Sequence, residues 1–166
     1  MFRQGDRVVH PNHGAGVVKG LESADHPDEA NKYYVIELYA NRLTMLVPVG
    51  SADNLGLRLA DGELVDEALE VLVQSPCDLP SEFKSRQKEL MDKLRSGDTR
   101  LIAEVCRDLF HRSRAGQLTS TDSRVLEQAR NFVATELAAV RGCEPEAAFE
   151  ELAGLLDGKA GDAEPV

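Results

Sequence analysis

The chain has no tryptophan, and its 166 residues include only five phenylalanines and three tyrosines. A core stacked from aromatic rings is therefore excluded, and burial falls mainly to Val, Leu, Ile and Ala. Cys77, Cys106 and Cys143 are odd in number and widely separated, with no C-x-x-C pair. That argues against a disulfide framework and a zinc ribbon, and reads as reduced, mostly packed thiols. No apolar run approaches the roughly 20 residues that cross a bilayer. Met1-Phe2 leads straight into polar and strand residues, without the apolar core of a signal peptide. The expectation is a cytoplasmic protein of one large or two small domains.

Catalytic signatures are also missing. Gly14-Ala15-Gly16 lacks the helix and lysine that make a phosphate loop. His10 and His13 straddle Pro11 in a turn, with no cysteine or second histidine pair beside them, which argues against a metal. His111, next to Arg112 at a helix end, suits the carbonyl dipole and needs no catalytic role. The acidic runs at 61–70 and 144–151 read as solvated helix faces. No nucleophile motif or carboxylate pair stands out, and the reading is a non-enzyme without cofactor or metal.

The formal charge of −10 by itself disfavours a nucleic-acid partner. Its distribution says more: residues 1–50 carry −1, 51–80 carry −6, 81–114 carry +3 and 115–166 carry −6. One basic segment lies between two acidic ones.

The opening, Met1 to Glu22, reads as a turn at Gly5-Asp6, a strand over Arg7 to His10 and a stop at Pro11. Gly14 and Gly16 give backbone freedom where the chain reverses or comes close to itself. A second strand resumes at Val17, Val18 and Leu21. Ser23 to Lys32, with Asp25, Pro27, Asp28 and Glu29, reads as a polar loop. Tyr33–Tyr39 reads as a third strand, Ala40-Asn41 as a hairpin turn and Leu43–Pro48 as a fourth strand. Val8, Val17, Ile36, Leu38 and Val47 are the candidate core. Such a sheet has an exposed edge that another chain can pair with.

The order Phe-x-x-Gly-Asp-x-Val-Val-x-Pro-x-His-Gly-x-Gly, from Phe2 to Gly16, resembles the start of the CarD/CdnL family of bacterial transcription regulators. The resemblance implies a Tudor-like barrel that grips the RNA polymerase β subunit, followed by a helical domain that touches promoter DNA. It continues through Leu94-Arg95-Ser96-Gly97-Asp98, Ala103–Leu109, Ala129-Arg130 and Glu136-Leu137-Ala138, over roughly residues 2–155.

The expected fold class is α+β: a small N-terminal antiparallel barrel (1–50), a linker (51–60), a compact domain of about five helices (61–156) and a disordered acidic tail (157–166). Beyond the linker the apolar period changes from 2 to 3.6. A first helix starts at the N-cap Asp61, buries Leu64, Ala68, Val71 and Leu72, and stops near Gln74 ahead of Pro76. Ser81 can cap a second helix to about Ser96, and Gly97-Asp98 ends it and starts the third. That third helix turns Ile102, Val105, Cys106, Leu109 and Phe110 inward and ends before Gly116. Thr119 with Asp122 resembles a capping box for a fourth helix to about Arg141, bearing Val125, Ala129, Phe132, Val133 and Val140. A fifth helix follows Cys143-Glu144-Pro145, with Phe149, Leu152, Leu155 and Leu156 inward. Nothing demands a dimer, and a monomer is expected.

The second helix carries Phe83, Lys84, Arg86, Lys88, Lys93 and Arg95. An aromatic at a helix start flanked by cations suits nucleic acid: the cations hold phosphates, and the ring stacks or wedges at a base step. The resemblance implies this role too, since the family carries there a tryptophan that wedges at the upstream edge of the promoter bubble. Phe83 falls at that position, and Arg86 and Lys88 fall on basic ones. The expected DNA-contacting set is Phe83, Lys84, Arg86 and Lys88. The competing reading packs Phe83 against the helical core and leaves the cations as a solvated face.

For the polymerase contact the expected edge strand is Leu43, Thr44, Met45, Leu46 and Val47. Family members can carry basic side chains near that surface, whereas Ala24 and Leu46 are uncharged, so the contact would rest more on backbone pairing and apolar packing. An alternative keeps the polymerase but gives the helical domain a protein partner instead of DNA.

Overall fold

The computed structural model describes residues 1–23 and 32–162, so most of the expected polar loop, Ala24 included, and the last four residues lie outside the described residues. Five strands precede five helices, and the fold is α+β. The strands are β1 (Arg7–His10), β2 (Gly14–Ser23), β3 (Lys32–Leu38), β4 (Thr44–Pro48) and β5 (Arg58–Leu59). They form one antiparallel sheet in the order β4-β3-β2-β1-β5, which leaves β4 and β5 as its edges. Strand β5 lies within the expected linker, where it pairs Val8 with Leu59 and Val9 with Arg58.

The sheet is buried on both faces of the β1–β2 hairpin. Val8, Val18, Tyr34, Ile36, Leu38 and Val47 share one core with Ala52 and Leu57. Val9 and Ala15, on the opposite face, belong to the core of the helical domain. The expected core residue Val17 is only half-buried, and Val18 takes its place. Register decides this: Gly16 pairs with Val8 and Val18 with Ile36, so the even positions of β2 face the sheet's own core.

The helices are α1 (Gly62–Leu72), α2 (Phe83–Arg95), α3 (Thr99–Arg114), α4 (Ser120–Arg141) and α5 (Pro145–Asp162). Cap chemistry explains most of their starts. Asp61 accepts from the amides of Glu63 and Leu64, and Asp98 accepts from that of Arg100. Thr119 and Asp122 close a reciprocal capping box at α4. Helix α2 differs: its N-cap is Glu82, with no side-chain cap bond, rather than the expected Ser81. Helix α1 buries Val65, Ala68 and Leu72, so Val65 replaces the expected Leu64. Helix α5 continues to Asp162, past the Asp157 at which the sequence suggests a disordered tail. Helix α4 is central, with Phe132, Val133, Ala134, Leu137, Ala138 and Ala139 all buried. Among the described residues no helix is long and apolar enough to cross a membrane.

Candidate nucleic-acid and polymerase interface

Helix α2 follows an extended segment containing Pro80, and two stripes divide it. Arg86, Leu90 and Leu94 recur every four residues and are buried. Lys84, Lys88 and Arg95 lie on an exposed ridge. Lys84 and Arg95 are eleven residues apart, about 16 Å along the axis. Among the described residues none of these three cations forms an ion pair. Lys93, by contrast, is held by Glu104 at 3.1 Å and Glu89 at 3.8 Å.

Phe83 opens the helix and is 48% exposed, outside both hydrophobic cores. About half of the residue is covered by the protein and half is left in water. The competing reading packs Phe83 against the helical core, and Phe83 is not among the side chains that make up or line that core. Phe83 stands 5.6 Å from the Arg86 guanidinium, within cation–π range.

The expectation that Arg86 faces phosphates needs correction. Its side chain is buried, and Nε donates to Asp122 Oδ1 over 3.2 Å. Nη1 donates to the carbonyls of Pro80 and Ser81 at 3.3 and 3.1 Å. The helical period causes this, because Arg86 sits on the Leu90–Leu94 stripe while Lys84 and Lys88 sit across from it. Asp122 is itself fully buried. It also accepts from Gln87 Nε2 at 2.7 Å, and Arg112 Nε lies 3.7 Å away. Arg86 thus holds the segment before α2 from beneath Phe83.

Strand β4 is an edge of the sheet and, among the described residues, pairs with β3 alone. Its side chains alternate. Val47 is buried and Met45 packs on the same core, whereas Leu43, Thr44 and Leu46 face outward. Leu43 is 62% and Leu46 50% exposed. Of the five expected contact residues, Val47 is thus a core residue, Met45 is half-buried, and the other three present side chains to solvent.

A polar junction between the sheet and the helices was missed by sequence reading. Arg58 in β5 reaches Glu136 of α4, with Nη1 to Oε1 at 2.6 Å and Nη2 to Oε2 at 3.2 Å. Its Nη2 also donates to Gly97 O at 3.1 Å and Thr99 Oγ1 at 2.9 Å. Gly14, at φ +78°, lets the hairpin lie on α4: a Cβ there would fall 2.7 Å from Thr135 Oγ1. The Ala15 amide donates to that same hydroxyl at 3.1 Å, and Arg7 Nη1 donates to Ala139 O at 2.6 Å. The Phe2–Gly16 motif thus includes the residues that hold the sheet against the helices.

Comparison with known proteins agrees with both halves of this architecture. Residues 2–59 match the CarD-like/TRCF RID domain family, and residues 67–153 match the CarD C-terminal domain family. The chain belongs to the CarD family. A relative in Bacillus subtilis (strain 168), described as "Putative transcription factor YdeB", is 28% identical over 143 residues, which cover 86% of this chain and 94% of the relative. In this CarD-family chain the first match ends on β5 and the second begins within α1, so the junction at Arg58 lies at the boundary between the two matched regions.

The three thiols differ in setting. Cys106 is fully buried, and that burial pushes its pKa up to about 12, so it stays an inert thiol. Cys143 is half-buried, and Cys77 departs from the packed expectation: it is exposed, with Sγ 3.6 Å from Arg107 Nη2. His10 and His13 have ring centroids 4.9 Å apart. The Asn12 amide donates to His10 Nδ1 at 3.1 Å, which fixes His10 as an acceptor at that nitrogen.

Proposed function

We propose that this chain is a non-catalytic transcription regulator that binds the RNA polymerase β subunit through β4 and stabilises the promoter open complex. Phe83, Lys84 and Lys88 meet DNA at the upstream edge of the bubble, and the exposed Arg95 extends the same ridge. The observation that carries this reading is Phe83: an exposed ring at a helix start, braced by Arg86, beside a ridge of exposed cations. A ring in that setting can enter a base step while its neighbours hold phosphates. The overall charge of −10 keeps intrinsic DNA affinity low, and tethering to polymerase supplies the effective concentration.

On the β subunit the exposed edge of β4 adds to a strand of the partner, and Leu43 and Leu46 contribute apolar contact. By holding the upstream fork the protein slows bubble collapse and raises output from promoters whose open complexes are short-lived. It acts as a monomer in the cytoplasm, where the polymerase is, and needs no cofactor.

The test is a footprint of the cognate polymerase on promoter DNA, with and without the chain, paired with a binding titration against a β-subunit fragment. Saturable binding to the fragment and added protection at the upstream bubble edge are expected. Binding to the fragment without any change in the DNA footprint would instead favour a polymerase-bound adaptor whose helical domain recruits a protein.

A further inference from the structure

Glu136 has no exposed surface, yet it lies on a helix of the second domain and takes its partners from three other segments. Arg58 of β5 meets both carboxylate oxygens. Thr99 at the start of α3 donates its hydroxyl to Oε2, and the Asp61 amide, ahead of α1, donates to Oε1 at 3.1 Å. The same Arg58 guanidinium binds the carbonyl of Gly97, in the turn that closes α2. One carboxylate therefore ties together an edge of the sheet, the segment into α1, and the end of the helix that begins with Phe83.

Resting on the reading above, we infer that Glu136, acting through Arg58 and Thr99, is a positioning residue that locks the sheet to α2. Docking β4, an edge of that sheet, then fixes where Phe83 stands at the start of α2. A flexible tether would serve recruitment alone. Wedging a ring at one base step needs tighter placement, because the ordering cost is met before binding. The linker segment is built for this stiffness. Ala60 N donates to Arg7 O at 2.8 Å, so strand-like bonding continues to the residue before the α1 cap. Val9 and Ala15 reinforce the lock from the sheet by packing into the helical core.

The experiment uses the full chain as wild type, Glu136→Gln and Arg58→Met. Amide residual dipolar couplings are measured on each, alongside open-complex lifetimes and binding to a β-subunit fragment. In wild type, couplings from both domains should fit a single alignment tensor. In the variants each domain should still fit its own tensor, showing an intact fold, but the two tensors should part. Fragment binding should stay at the wild-type level while the lifetime extension falls several-fold.

A single shared tensor in Arg58→Met with the full lifetime extension would overturn the inference. So would separated tensors with the full extension, or a shared tensor with the extension lost. If Glu136→Gln loses its dispersed amide spectrum, Arg58→Met alone decides. If wild type itself extends no lifetime, the proposed function fails, and the tensors still decide whether the lock exists.

Discussion

Arg86 and Asp122, 36 residues apart in sequence, meet at 3.2 Å with both side chains withdrawn from water. Their contact joins the start of the helix bearing Phe83 to the capping turn of α4. The pair separates two roles that the sequence places side by side: Arg86 holds the platform, and Phe83 is what the platform presents.

That division gives a stability prediction. Arg86→Ala leaves Asp122 buried beside an empty site, and removing one partner of a buried pair costs about 3–5 kcal/mol. Phe83→Ala removes a half-exposed ring and should change stability by no more than about 0.5 kcal/mol. Urea midpoints for the two variants check this. Equal losses would show Phe83 to be a packing residue after all.

The ridge of Lys84, Lys88 and Arg95 predicts an ionic-strength effect. For DNA binding by the polymerase–regulator complex, each lost phosphate contact lowers the slope of log affinity against log salt by about 0.9. Single alanine substitutions at these positions should each flatten the slope and leave the melting temperature unchanged. Arg86→Lys should leave the slope alone, because its guanidinium is spent inside the protein.

The alternation along β4 predicts opposite consequences at neighbouring positions. Leu46→Glu should weaken binding to a β-subunit fragment at least tenfold, about 1.4 kcal/mol, with no loss of fold. Val47→Ala empties part of the sheet core and should cost about 2 kcal/mol of stability. Chemical denaturation and a fragment titration on both variants distinguish the two.

What the sequence made legible was mostly local chemistry. Asp61, Asp98 and the Thr119–Asp122 box mark helix starts because a cap acts on amides two or three residues away. The two adjacent valines of β2 were harder. Strand parity is fixed only once Gly16 pairs with Val8, and the register shift between Val18 and Gly20 changes the alternation downstream. Arg86 could not be identified as buried without its partner, which lies two helices further on. Arg58 gave still less signal: its strand is two residues long, and its acceptor is 78 residues away. For Phe83 the position at the start of the second helix was legible, but its exposure was not, because a lone aromatic there serves packing equally well until the fold is seen.

His10 predicts a pH dependence. Burial, followed by the neighbouring His13, holds its pKa below the ordinary 6.5. As pH falls, the unfolded chain therefore takes up a proton at His10 before the folded protein does. The resulting stability is fully present above the unfolded value and is lost as pH falls through it toward the folded one. Between about pH 7.5 and 5.5, the range in which histidine titrates, wild type should lose more melting temperature than His10→Gln. Parallel losses would show that His10 is not the titrating group.

The most direct test of the account is the lifetime of open complexes on a ribosomal RNA promoter with the cognate polymerase, measured without added protein, with wild type, and with Phe83→Ala. Wild type should lengthen the lifetime. Phe83→Ala should bind the β subunit as well as wild type and abolish most of the gain, since base–aromatic stacking is worth about 1–3 kcal/mol. A gain that Phe83→Ala keeps in full would contradict the role assigned to the exposed ring.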